Sequence, residues 1–526
     1  MRVDWLFRGD VLTMDGARPR AHAAAVAGGR IVAVGEGAEA AAGPHTRVVE
    51  LGERALLPGF HDAHLHLAEH ALELSQLDLK EVRSLEALLQ RIEARAHDLP
   101  EDGWLLGNGF ALERLSLAGV GPAERDALDR ASAGRPVALR SQDHHSLWGN
   151  RRALLLAGID RSTADPPEGV IQRDDRGEPT GLLLEHAMAL LVGHLPEPDA
   201  DELARALQRA GRHLAARGVT TVHSMAYEPA SYWRATADAA STGSYPLRVW
   251  ACIGQEHIEE AAAVGVATGQ GGGSFTIGGA KFFADGALGS LTAWMLEPYA
   301  GGGGNVGVAV DGPEVLARRL PLAVRAGLTP VVHAIGDAAN RAVLDALERT
   351  APGWRAAGLR PRIEHAQHVH PDDLPRFASL GVTASAQPLH LTFDVPTIRR
   401  MLPDRTDRAY AFATLLATGA TLAFGSDTPV AEPDVILGLR AATGRRGTDH
   451  TVLGAGERLT VEQALGAYTL GAARAIGREG RSGRVAPGFD ADLVVLSHDP
   501  TRTLDDLAVV ATLKGGAVTY GEDALS

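Results

Sequence analysis

Lysine is nearly absent from this chain. Of 51 basic residues only Lys80, Lys281 and Lys514 are lysine and 48 are arginine, so a lysine inside an apolar strand raises the question of what arginine could not do there. Cysteine is as scarce: Cys252, the single one, excludes an intrachain disulfide and says nothing against a reducing compartment. The opening residues, Met1 to Trp5, lack the apolar stretch of a signal peptide, and no apolar run reaches the ~18 residues of a membrane helix. A soluble, cytoplasmic protein without a membrane partner is the expectation. Positive charge is in deficit, 51 Lys+Arg against 65 Asp+Glu giving −14, a poor balance for gripping nucleic-acid phosphates. No G-x-S-x-G elbow and no H-E-x-x-H helix occur, which leaves serine-hydrolase and zincin chemistry without a foothold.

What is present is ordinary for a globular enzyme. Apolar residues make up 45% of 526, which excludes bulk disorder. Residues 1–56 and 480–526 share a texture of short strands and glycine-rich turns, such as Arg30–Val34 and Ala491–Leu496, and predict one composite β-sandwich domain built from both ends. Between them, residues 57–479 alternate apolar strands with helical patterns, the signature of a parallel α/β fold. Eight strands fit: Leu56–His61, Val219–His223, Leu247–Cys252, Ala280–Ala284, Pro330–Ile335, Arg362–His365, Val382–Ala386 and Thr421–Gly425. Eight βα repeats predict a TIM-like (β/α)8 barrel. A large insertion, about 67–215, follows the first strand and holds one further strand, Val137–Arg140; the glycine patches 271–273 and 301–304 read as loops.

The chemistry gathers at the strand ends. The first strand runs into Gly59-Phe60-His61-Asp62-Ala63-His64-Leu65-His66. Residues two apart on an extended segment point the same way, so His64 and His66 converge at the end where barrel active sites lie. Two neutral imidazoles so placed suit zinc or a similar divalent ion. Later strands end in further metal-competent side chains: Lys281, His333, His365 and Asp427. Each alone has a plain local explanation, an ion pair of Lys281 with Asp285 or a satisfied core histidine. Six donors at strand ends together point to a metal-dependent site.

These motifs resemble the amidohydrolase superfamily and, within it, amidohydrolase family 3, which includes YtcJ-like proteins and N-substituted formamide deformylases. The resemblance rests on Gly59 to His66, on Lys281 with Asp285-Gly286, on Ile363-Glu364-His365, on Gly425-Ser426-Asp427-Thr428-Pro429, and on Asp143-His144-His145 with Asn150 in the insertion, His144 standing where the group has glycine. It implies a site of one or two divalent metals, zinc by preference. His64, His66 and Asp427 would hold the buried ion, and His333 and His365 the outer one. Lys281 would bridge both as a carbamate formed with CO2, a step that needs a neutral amine and that arginine's pKa forbids. A metal-bound hydroxide would attack an amide-type, non-peptide carbonyl, with Asp427 as general base and then acid. His145 and His223 are candidates to stabilise the oxyanion or hold substrate, and Trp148 to wall the pocket. The partner is a small molecule, with a homodimer left open.

Two rivals remain. A deaminase or isomerase would use the same metal site. An NAD-linked oxidoreductase has one hook, Gly35-Glu36-Gly37-Ala38-Glu39-Ala40 after a strand with Glu50 beyond it, a dinucleotide fingerprint in a unit too short for a βαβ crossover.

Overall fold

The computed structural model describes residues 2–525 except 113, 116–118, 142–145, 168 and 227. Both ends of the chain build one seven-stranded sheet. Its order is Ala517–Tyr520, Val509–Lys514, Leu493–Leu496, Arg47–Pro58, Trp5–Leu12, Arg20–Ala27 and Arg30–Val34. Leu493 pairs with Pro58 and Leu496 with Ala55, joining the termini antiparallel. Alternation along the strands sends Trp5, Phe7, Val49 and Leu51 into one buried apolar cluster with Leu493, Val495 and Leu513.

The dinucleotide fingerprint lies in this sheet. The helix Glu36–Ala41 has six residues, and the strands on either side of it are not neighbours. Arg30–Val34 is the edge strand beside Arg20–Ala27, whereas Arg47–Pro58 sits between Trp5–Leu12 and Leu493–Leu496. No βαβ unit exists there to receive a pyrophosphate.

Eight parallel strands form the barrel: β1 Phe60–Leu65, β2 Val219–Ser224, β3 Arg248–Gly254, β4 Phe275–Phe283, β5 Thr329–Ala334, β6 Arg362–His365, β7 Thr383–Ala386 and β8 Leu422–Phe424. Every residue of β1 and β2 is buried, as parallel strands covered on both faces require. The first strand begins later than the sequence indicates. Leu56–Pro58 belong to the terminal sheet, where they pair with Leu493–Val495, and Gly59 marks the handover. A Cβ on Gly59 would lie 2.3 Å from Thr220 Cγ2, so only glycine fits between the two sheets. Gly271–Gly272, read as loop, pairs with the start of β4.

Closure between β8 and β1 is made just beyond β8. Asp427 N–H donates to His64 O at 2.7 Å and His66 N–H to Thr428 O at 2.9 Å. Asp62 adds a side-chain stitch, accepting from Ser426 N–H at 2.9 Å and Ser426 Oγ at 2.6 Å. Burial pushes the Asp62 carboxyl up to about 6 against those donors.

The insertion is its own compact unit, Glu69–Leu207. It carries a six-stranded sheet ordered Gly169–Arg173, Pro179–Glu185, Ser146–Gly149, Val137–Ser141, Leu105–Phe110 and Leu77–Asp78. The sequence reveals one of these six. The others are short or interrupted by glycine, as in Leu-Leu-Gly-Asn-Gly-Phe, and owe their extended state to pairing rather than to pattern. No helix among the described residues is long and apolar enough to cross a membrane.

A Cβ at Gly425 would lie 2.3 Å from His64 N, at the closure of the barrel. Gly425→Ala is therefore expected to lose about 1–3 kcal/mol, the range of overpacking substitutions, read as a lower urea midpoint. An unchanged midpoint would show that the closure is looser than this contact implies.

Candidate metal centre

At the end of β1, His64 and His66 project to the same side, as the two-residue period dictates. The Nε2 atoms of both stand 3.3 Å from one oxygen, Asp427 Oδ1. Asp427 reaches this point in a left-handed backbone conformation, φ 63°, held by its N–H bond to His64 O. One donor atom from each of the three residues lies within 4.8 Å of the others. Burial would raise the Asp427 carboxyl, but His64 and His66 outweigh it and hold the group well below the usual carboxylate range.

A second group shares Asp427. His365, at the end of β6 with φ 72°, and His390 bring ring nitrogens within 4.8 Å of it and of each other. His390 Nε2 is 3.7 Å from Asp427 Oδ2. Sequence reasoning missed His390 because it lies beyond its strand, in the first turn of the helix Pro388–Met401. The signal was available in Gln387-Pro388-Leu389-His390 directly after an apolar strand. Burial, reinforced by His333 and His64, holds His365 well below the usual imidazole range, hence neutral, and its Nδ1 is buried with no hydrogen-bond partner among the described residues. Imidazole nitrogens, one of them without a hydrogen-bond partner, and an ionised carboxylate are the donor set a divalent cation such as zinc accepts.

The other two expected donors, Lys281 and His333, make further contacts of their own. Lys281, on β4, is 1% exposed, with Nζ 4.1 Å from the centroid of the Phe283 ring. Burial lowers its ammonium to about 8 against the charges of Glu364 and Asp427. Asp285 does not pair with Lys281. It accepts N–H bonds from Ile335, Gly336 and Trp294 at 3.0, 2.8 and 2.9 Å, tying the loop after β4 to the loop after β5, and burial pushes it up to about 7. His333 packs its ring 4.4 Å from His365, with Nε2 facing Gly286 O at 3.1 Å and Asp285 Oδ1 at 3.4 Å.

Beneath the site a buried polar network occupies the barrel interior. His64 Nδ1 donates to Glu364 Oε2 at 2.6 Å. Arg362, with no exposure, donates to both Glu364 oxygens, to Ser385 Oγ and to Ala63 O. Burial would raise Glu364, but Arg362 and His64 prevail and bring it down to about 2. Both Arg362 and Glu364 lie in a strand read from the sequence, yet nothing in their spacing reveals that they turn inward.

His223 belongs to this network rather than to an open pocket. It is fully buried, with Nδ1 2.9 Å from Arg362 Nη1 and Nε2 3.4 Å from His61 Nδ1, so neither ring nitrogen is left for a ligand. Trp148 lies in the apolar core of the inserted unit, edge-on to Phe110 at 6.0 Å. His145 lies outside the described residues.

Comparison with known proteins follows the same lines. Residues 47–520 match the model of the Amidohydrolase family. YtcJ of Bacillus subtilis is 34% identical over 493 residues, 91% of each chain. The N-substituted formamide deformylase of Arthrobacter pascens is 28% identical over 542 residues, 99% of this chain and 98% of that one. The crystal structure of an uncharacterized metal-dependent hydrolase from Pyrococcus horikoshii superposes with a TM-score of 0.79 at 27% identity, covering 95% of this chain and 98% of its own. With the barrel, its strand-end donors and these matches in agreement, the chain belongs to the Amidohydrolase family and is a hydrolase.

Proposed function

We propose that the chain hydrolyses an amide-type carbon–nitrogen bond of a small, non-peptide substrate with the help of one or two divalent ions, zinc by preference. The observation that carries this is Asp427: an ionised, buried carboxylate facing His64 and His66 on one oxygen and His390 on the other. Bound there, a divalent cation supplies an acidified water and polarises a carbonyl. His64, His66 and Asp427 would hold one ion, and His365 and His390 with Asp427 a second.

Asp427 takes the proton of the attacking water and returns it to the leaving nitrogen, which departs as a neutral amine. Oδ1 keeps its contacts with His64 and His66 while Oδ2, on the side of His390, follows that proton. Lys281 favours the carbamate bridge: burial lowers its pKa toward neutrality, and the free amine adds CO2 with release of one proton to give an anionic oxygen donor. The deformylase named among the relatives acts, by its name, on N-substituted formamides, and this supports an N-acyl or N-formyl substrate. A deaminase would draw on the same Asp427 proton transfer and is separated by its product, ammonia without an acyl fragment.

Three outcomes test the reading. Asp427→Asn should keep the fold and lower kcat at least ~10³-fold on whichever N-formyl, N-acyl or cyclic amide the wild type cleaves; retained turnover would remove Asp427 as base. Lys281→Ala should lose metal by elemental analysis and recover part of it with short carboxylic acids, and an unchanged metal content would count against the bridge. His390→Ala should lower the metal bound per chain with the circular-dichroism spectrum unchanged, whereas full occupancy would show that His365 and Asp427 act without it.

A further inference from the structure

We propose that Arg362 dictates which nitrogen carries the proton in three buried histidines and, through Glu364, presets His64 with its Nε2 lone pair facing the cation site. Arg362 and Glu364 are thus positioning residues that raise metal affinity without touching metal or substrate; the proposal rests on the reading of His64 as a metal ligand.

A guanidinium has only donors. Its Nη1 is 2.9 Å from His223 Nδ1, so that nitrogen must accept, and the proton of a neutral His223 sits on Nε2. His223 Nε2 faces His61 Nδ1 at 3.4 Å, so it donates there, and the His61 proton is placed on Nε2. His61 Nε2 in turn donates to Ser482 Oγ at 2.8 Å, where the chain ends. Burial pushes His61 down to about 3 and His223 well below the usual imidazole range, in keeping with two neutral rings.

In the other direction Arg362 grips both oxygens of Glu364 and keeps it an acceptor. Glu364 Oε2, 2.6 Å from His64 Nδ1, fixes the proton of His64 there. When a cation is bound, Nε2, the atom 3.3 Å from Asp427, is the nitrogen of His64 left to ligate it. One donor-only group thereby sets the direction of every bond from Ser482 to His64. The outcome at His64 is the one a metal ligand needs, since carboxylate partners of liganding histidines fix ring orientation and raise basicity.

The test uses full-length protein stripped of metal. In the wild type labelled with 15N-histidine, with His61 and His223 assigned through His61→Gln and His223→Gln, both rings should carry their proton on Nε2; a proton on Nδ1 of His223 would overturn the chain. Zinc affinity is then measured by competition with a chromogenic chelator. Glu364→Gln should bind zinc about 10–100-fold more weakly, the range for outer partners of metal ligands. Should that variant fail to fold, because it leaves Arg362 uncompensated, the pair Arg362→Met with Glu364→Gln removes both charges and is expected to show the same loss. Wild-type zinc affinity in the folded variant would overturn the proposal. A wild type that binds no zinc would overturn the metal reading instead, and the proton positions would still decide the histidine chain.

Discussion

A fully buried guanidinium holds the interior of the barrel together. Arg362 contacts Ala63 on β1, His223 on β2, Glu364 on its own strand β6 and Ser385 on β7. An ion pair so deep contributes little net stability, because desolvation offsets its Coulomb attraction, whereas losing one partner costs about 3–5 kcal/mol. Its presence is therefore better explained by orientation than by stability. It gives four strands one shared reference point, and the donors at the mouth inherit their directions from it.

Above that anchor the electrostatics sort by burial and neighbour. Asp427 is kept ionised by adjacent histidines, His365 is kept neutral by desolvation, and Lys281 is brought partway to neutrality. The same low-dielectric surroundings push Asp285 the other way, since its partners are backbone amides rather than a cation. Two buried aspartates thus diverge: Asp427 is prepared for proton traffic, and Asp285 serves as a clasp between two loops. Asp62, likewise raised, closes the seam between the first and last strands.

Much of this was legible in the residues. Parallel buried strands are nearly continuous apolar runs, so seven of the eight were readable within a few positions, and the polar residues near the ends of several stood out. The first was displaced because Leu56–Pro58 are as apolar as a barrel strand and their true partner, Leu493–Val495, is remote in sequence. The inserted sheet was illegible for the opposite reason, its strands being too short and glycine-broken to carry a period. At the site, His64, His66, His365 and Asp427 were found because strand ends advertise them. His390 was missed because a helical turn carries it back to the mouth. The inward turn of Arg362, Glu364 and His223 depends on which face of a strand meets the barrel axis, and a strand buried on both faces does not disclose that.

The composite terminal sheet carries a consequence for biosynthesis. Arg47–Pro58 is flanked on one side by Trp5–Leu12, close to it in sequence, and on the other by Leu493–Leu496, synthesised about 435 residues later. At about 5–20 residues per second, that edge waits roughly 20–90 s with its backbone amides and carbonyls unpaired, beside a cluster that still lacks Leu493, Val495 and Leu513. The nascent chain thus carries an unpaired edge until Leu493–Leu496 are made, a window in which chaperones or neighbouring nascent chains compete for the same ladder.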